Sequence, residues 1–385
     1  MHATLESIFL RNFEERGELG ASVSVWKNGE EIISLHHGWL EKEKVRPWQE
    51  DTPTPVWSVT KGPAAITTLL ALHEAGISLH SRVSELWPEL KAANESRLTF
   101  GQLLSHQSGL AALSPENRPN ILSYSAVIAA LETQTPFWKP GKGHGYHPRT
   151  IGFLLDEVVR RATGGTSLGH FWNDRIAEPL RIEFHIGDLT RDTIDRMATV
   201  YPPRTLAPGK EELPFFEALA KKDSLAAAIF SSPSGMRALS DINQLEYLQA
   251  GLPALGGVGT AAALAKFYQI LAQEGVLDGV KVLPKPVIDA ASSLQVSGQD
   301  HSFMMPTAFT AGFMRDPIDD TGQKRRIMFG PSIRAFGQPG AGGSHAFADP
   351  ETGISFAYVM NQMEAGILPN PKSLDLIDAI YQKLT

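Results

Sequence analysis

No cysteine occurs among the 385 residues, which excludes disulfides, thiolate nucleophiles and cysteine-ligated zinc or iron–sulfur centres. Long apolar runs are missing too: Ala64 to Leu72 is broken by Thr67 and Thr68 and falls short of the about 20 residues a membrane helix needs. Charge of one sign is nowhere concentrated, since 35 Lys and Arg stand against 42 Asp and Glu for a net charge of −7. This balance argues against a phosphate-backbone binder, so neither a nucleic acid nor a membrane is expected as a partner. The start, Met1-His2-Ala3-Thr4-Leu5-Glu6, lacks the basic residues and apolar stretch of a secretory leader and predicts a cytoplasmic protein. What is present, 42% hydrophobic and 20% charged residues, is the composition of a folded globular chain.

The hydrophobic periodicity places strands at both ends and helices between them. Residues 21–39 alternate around Lys27-Asn28-Gly29-Glu30, whose Asn-Gly pair predicts a β-hairpin. From Gly62 to Glu74 the apolar spacing is helical and Gly76 marks its end; further helices are predicted over Ile151–Arg161, Ser167–Ile176, Ala261–Gln273 and Ser373–Lys383. Strands return in Ser344–Asp349 and Ile354–Met360. The expectation is an α+β fold, with an antiparallel sheet flanked by helices and a mostly helical lobe inserted. One domain would span 1–385 in two lobes, an α/β lobe from about 1–55 and 255–385 and a helical lobe from about 56–254. A cleft between lobes is the expected place for a site.

Three stretches can carry chemistry. Trp57-Ser58-Val59-Thr60-Lys61 is an S-x-x-K arrangement where a loop with Pro53 and Pro55 turns into the apolar helix. Three helical steps bring Lys61 back to nearly the face of Ser58, about 4.5 Å higher. A desolvated lysine there can accept the serine proton, and the helix N-terminus favours a developing oxyanion. The plainer alternative is an N-cap serine beside a solvated lysine. Tyr146 sits in the Gly-rich loop Gly143-His144-Gly145-Tyr146-His147-Pro148-Arg149 at a helix entrance, where a phenol can act as acid or base. The run Gln338-Pro339-Gly340-Ala341-Gly342-Gly343-Ser344-His345 allows a substrate to approach the backbone closely at a strand start.

Other patterns are weaker. Gly342-Gly343-Ser344-His345-Ala346 approximates the G-x-S-x-G elbow of α/β-hydrolases, yet no histidine follows His345 to complete that chain order. Gly256-Gly257-Val258-Gly259-Thr260 lacks the lysine of a P-loop and reads as a turn. His144 and His147 have no carboxylate cluster beside them, so no metal site is assigned. His106 reads as a residue that orders its loop.

Taken in order, Ser58-Val59-Thr60-Lys61-Gly62, Leu103-Leu104-Ser105-His106-Gln107-Ser108-Gly109-Leu110, the Tyr146 loop and the Gly-rich strand start resemble the serine β-lactamase and penicillin-binding-protein superfamily. Within it the chain is most similar to the class C β-lactamase-like group and its family VIII carboxylesterases. The resemblance implies a β-lactamase/transpeptidase-like fold and a serine hydrolase acting on small or short-chain carboxylic esters through an acyl-enzyme, with no cofactor. It makes Ser58 the nucleophile, with Lys61 and Tyr146 as its proton-transfer partners and the role of base open between them. The oxyanion hole would be the N–H groups of Ser58 and Gly343, or Ser344, with Trp57, His147, Gly342 and His345 contacting substrate. Residues Leu252 to Val258 would help line the acyl pocket. The asparagine that follows the tyrosine in β-lactamases is replaced by Pro148 or His147, and the cation opening the third motif by Gln338, Gly340 or Ala341. These departures disfavour a β-lactamase or D-alanyl-D-alanine peptidase. A transacylase with the same triad and a non-catalytic ligand-binding protein are the remaining alternatives, and a homo-oligomer is compatible with the composition.

Overall fold

The hairpin at Asn28-Gly29 forms because both turn residues adopt positive φ, 52° and 92°, as a two-residue turn between twisted strands requires. It joins β1 (Gly20–Lys27) to β2 (Glu30–Gly38) in the computed structural model, which describes residues 2–205 and 207–384. Six further strands come from the last third of the chain: β3 (Val296–Gln299), β4 (Pro306–Phe309), β5 (Met314–Arg315), β6 (Phe336–Pro339), β7 (His345–Asp349) and β8 (Ile354–Met360). They form one sheet in the order β2-β1-β8-β7-β6-β5-β4-β3, antiparallel throughout. The architecture is thus the α+β arrangement of sheet and flanking helices that the periodicity predicts.

Alternation along β8 decides which helix covers which face. Ser355 donates to the Ala265 carbonyl at 2.8 Å on the helix Ala261–Ala272. Tyr358, of opposite parity, meets Phe9 of the helix His2–Glu14 with ring centroids 6.4 Å apart. The C-terminal helix Pro371–Leu384 lies on that second face, where Tyr381 donates to Asp349 at 2.7 Å.

The central helix, α1 (Lys61–Glu74), is buried on all sides from Lys61 to Leu72, beyond the one-sided apolar face its spacing suggests. Its threonines survive burial by donating back along the helix, Thr67 to Pro63 O at 2.7 Å and Thr68 to Ala64 O at 2.9 Å. Gly76, at φ 70°, ends it: the N–H groups of Gly76 and Ile77 return to the carbonyls of His73 and Leu72 at 3.0 and 2.8 Å. α2 (Thr150–Thr163) packs against it. A second small antiparallel sheet, Thr54–Pro55 with Gly257–Gly259 and Phe184–Ile186, holds the chain just before α1. Among the described residues no helix is long and apolar enough to cross a membrane.

Candidate active site

The turn that presents Ser58 is held from two sides. Trp57 takes a positive φ of 51°, an unfavourable conformation for a bulky residue, and begins a single 3₁₀ turn, Trp57–Thr60, that runs into α1. The Thr60 hydroxyl donates to Trp57 O at 2.5 Å and accepts the Gly257 N–H at 2.9 Å, while Val56 N–H reaches Gly257 O at 3.0 Å. The small sheet therefore over-determines the strained turn.

Lys61 is 2% exposed, and its Nζ lies 3.2 Å from Ser58 Oγ, 3.0 Å from Pro148 O and 2.7 Å from Ala254 O. Burial holds this ammonium well below the ordinary lysine range, with no carboxylate to oppose it. A neutral amine has two N–H donors and one lone pair. The two carbonyls can only accept, so they take both donors and leave the lone pair for the Ser58 hydroxyl.

Tyr146 is 3% exposed and hydrogen-bonds Ser58 through its phenol, which also accepts from Gln338 Nε2 at 3.2 Å. Burial, helped by the nearby Asp300 charge, pushes the phenol's pKa above the ordinary tyrosine value against these bonds. The Lys61 Nζ sits 4.8 Å from the ring centroid, and Phe303 stacks on the ring at 4.6 Å. The backbone under Tyr146 is clamped by Asp300, a fully buried carboxylate. It accepts the N–H of Tyr146 at 3.1 Å, those of Ser302 and Phe303 at 2.7 and 2.9 Å, and the Thr307 hydroxyl at 2.9 Å. Because that hydroxyl is spent on Asp300, His144 Nε2 donates to Thr307 Oγ1, at 2.9 Å.

A layer of neutral histidines continues the clamp. His147 Nδ1 donates to Gly145 O at 2.6 Å, so its Nε2 accepts from Ser108 Oγ at 2.8 Å, and its N–H meets His106 Nδ1 at 3.1 Å. Burial pushes His147 down to about 3 and holds His106 well below its ordinary value. His106 orders its loop, as its sequence context suggested. His147 is fully buried with both ring nitrogens used, which removes it from substrate contact and from metal ligation.

The Gly-rich run is sorted by its turn. Gly343 N–H is bonded to Gly340 O at 3.2 Å, and Gly340 N–H to Ser344 O at 2.7 Å, so Gly343 has no N–H for an oxyanion. Ser344 is fully buried beneath the turn, close behind Gly340. Ala341 N–H has no acceptor among the described residues, and Ala341 lines the cavity that contains Ser58. It replaces Gly343 and Ser344 as the candidate partner of Ser58 N–H. Gly342 is buried against Met363 with its carbonyl taken by Glu364 N–H at 2.9 Å, so it does not contact the cavity.

His345 is corrected by register. Gln338 pairs with Ala346 and Pro339 with His345, so Gln338 and His345 face opposite sides of the sheet. Gln338 meets Tyr146. His345 packs between Phe329 and Phe356 and lies 3.2 Å from Ser373 of the C-terminal helix, away from Ser58. Trp57 does line the cavity, as does Leu255 from the stretch expected to form the acyl pocket.

The cavity measures about 1160 Å³, with Ser58, Trp57, Pro148, Leu255 and Ala341 at its base. The Ser58 hydroxyl, the Lys61 amine and the Tyr146 phenol thus meet at a cavity that Ala341 also lines. Residues 9–371 match the Beta-lactamase family model. The chain belongs to the beta-lactamase family. Among similar proteins, "Esterase/beta-lactamase LipL" of Mycobacterium tuberculosis is 28% identical over 92% of this chain and 80% of its own. A solved family VIII carboxylesterase shares 29% identity at a TM-score of 0.85, covering 99% of this chain and 97% of its own. A penicillin-binding protein homolog from Caulobacter crescentus gives 32% identity, TM-score 0.85 and the same two coverages, 99% and 97%. Both likenesses extend over nearly the whole of this chain at the same TM-score.

Proposed function

We propose that this beta-lactamase family protein is a carboxylesterase that hydrolyses esters through an acyl-Ser58 intermediate. The observation that carries the reading is the buried Lys61 Nζ, 3.2 Å from Ser58 Oγ and 3.0 and 2.7 Å from the carbonyls of Pro148 and Ala254; in the neutral amine those carbonyls take both N–H donors and the lone pair is left for Ser58. Lys61 takes the Ser58 proton as Oγ attacks the carbonyl. The N–H groups of Ser58 and Ala341 receive the oxyanion. The neutral Tyr146 phenol then protonates the departing alkoxide and recovers a proton from the Lys61 ammonium beside it. In the second half water attacks the acyl carbonyl, gives its proton to the Lys61–Tyr146 pair, and Ser58 leaves with a proton.

Gln338 supports an ester over a β-lactam. It offers Tyr146 a neutral amide where related enzymes place a cation, so a carboxylate close to the scissile bond finds no charge-assisted partner there. The similarity to proteins described as esterases points the same way.

The test is turnover of p-nitrophenyl butyrate and nitrocefin by the wild type and Ser58→Ala. Ester hydrolysis that falls at least about 10³-fold in the variant, with nitrocefin turned over far more slowly than the ester, is expected. Undiminished turnover by Ser58→Ala would overturn the assignment of the nucleophile.

A further inference from the structure

The cavity over Ser58 carries a charge opposite to that of the chain. The chain is −7 overall, yet Arg118, Arg149, Lys222 and Arg237 line the cavity against a single carboxylate, Asp223. Among the described residues none of these four cations forms an ion pair, although many other arginines do. Arg149 is the most committed: its guanidinium donates to the carbonyls of Pro233, Gly235 and Met236 at 3.0, 3.0 and 3.1 Å and has no carboxylate neighbour. Arg118 donates to Leu113 O and to Ser231 Oγ, at 3.1 and 3.0 Å. Lys222 and Arg237 are exposed and engaged by no side chain among the described residues.

The distribution of this charge matters as much as its sign. Near the scissile position the polar groups are neutral: Ser58, the Tyr146 phenol and the Gln338 amide. The rest of the lining is largely apolar, with Phe137, Leu219, Leu225, Phe230, Met236 and Leu255. Unpaired cations in a concave, low-dielectric cleft focus field and raise the local concentration of an oppositely charged ligand. An uncharged ester would use the apolar wall and leave the cations without a counter-ion.

We propose that the preferred substrate is an ester whose scissile carbonyl is joined through an apolar stretch to a remote anionic group, the half-ester of a dicarboxylic acid being the simplest case. The proposal rests on the esterase reading of Ser58. The anion sits among Arg118, Lys222 and Arg237, and the spacer lies along the apolar wall. A carboxylate there gains charge-assisted hydrogen bonds and is released by salt.

Two matched pairs test it by pH-stat: monomethyl adipate against methyl hexanoate, and 5-acetoxypentanoate against pentyl acetate. At low ionic strength the charged member of at least one pair is expected to show about tenfold higher kcat/KM. That ratio should shrink in 0.5 M salt and fall at least fivefold in Lys222→Gln/Arg237→Gln. Turnover of both members without preference, or a preference the double variant leaves intact, overturns the proposal while the esterase reading stands. Absence of all ester turnover defeats the esterase reading, and calorimetry on Ser58→Ala then decides this one. Salt-sensitive binding of monomethyl adipate over methyl hexanoate supports an anion-selective cleft, and binding of neither overturns it.

Discussion

The base of the cleft and its helical wall are built on different terms. At the base, Lys61 has a hydrogen-bond partner for each direction of its amine, the Tyr146 backbone is clamped by Asp300, and the histidines beneath have fixed tautomers. The wall is made of the short helices Leu213–Leu219 and Leu225–Phe230 and the segment that leads into the 3₁₀ turn Leu239–Asn243, where Lys222, Arg237 and Leu239 face solvent. Bond-making groups must be neutral or charged on demand, and burial sets that. Recognition of a substrate's outer part needs reach and adaptability, which exposed side chains on short elements supply.

If the contrast is real, damage to the base should cost far more than damage to the wall. The largest effect is expected for Lys61→Ala, a loss of about 10³- to 10⁴-fold in kcat/KM without loss of fold. The sign of the pH dependence follows from the lowered lysine pKa. The amine must be unprotonated to accept the Ser58 proton, so wild-type kcat/KM falls as pH drops through a midpoint well below the ordinary 10.5. A pH–rate profile checks this: the acid limb should vanish from the residual activity of Lys61→Ala, and a limb unchanged by the substitution would assign the base elsewhere.

One step out, Asp300 touches no reacting atom and acts by positioning Tyr146. Asp300→Asn presents an amide donor toward groups that themselves donate, so the Tyr146 loop should shift. The expected cost is about 10- to 100-fold in kcat with KM changed much less, because misplacing a proton donor affects the chemical steps. A steady-state split of kcat from KM reads it. An equal rise in KM would mean that the clamp shapes the cleft instead.

The same contrast explains what was legible in the sequence. The Asn28-Gly29 hairpin, α1 and the Ser58–Lys61 spacing are local, set by residues a few positions apart, and they stand where the periodicity put them. Strands β3 to β5 are four, four and two residues long, too short for alternation to register. The Asp300 clamp joins positions 154 residues apart, with no local pattern around Asp300 to announce it. Ala341 was hidden in its glycine run, since the N–H left free depends on which turn bonds form. Proximity to a motif suggested His147 and His345 as substrate contacts, whereas register and burial turn them away. The cationic wall is gathered from residues 118, 149, 222 and 237, four separate stretches that only the fold brings together.

The smallest expected effect is on the wall. Leu239 lines the cavity and is 39% exposed, so truncation opens no internal void and removes only part of a side chain's apolar contact with substrate. At about 0.8 kcal/mol per fully buried methylene, half-exposed contact translates into about two- to fivefold in KM. Leu239→Ala should therefore raise KM for p-nitrophenyl octanoate by that amount and change acetate less, because a two-carbon acyl group is too short to reach beyond the base. Steady-state kinetics on the acetate, butyrate and octanoate series give the test. A loss that grows with chain length locates the acyl spacer along the wall, next to Arg237. A loss independent of chain length would couple the wall to the chemistry, and the division between a fixed base and an adaptable wall would fail at its most exposed point.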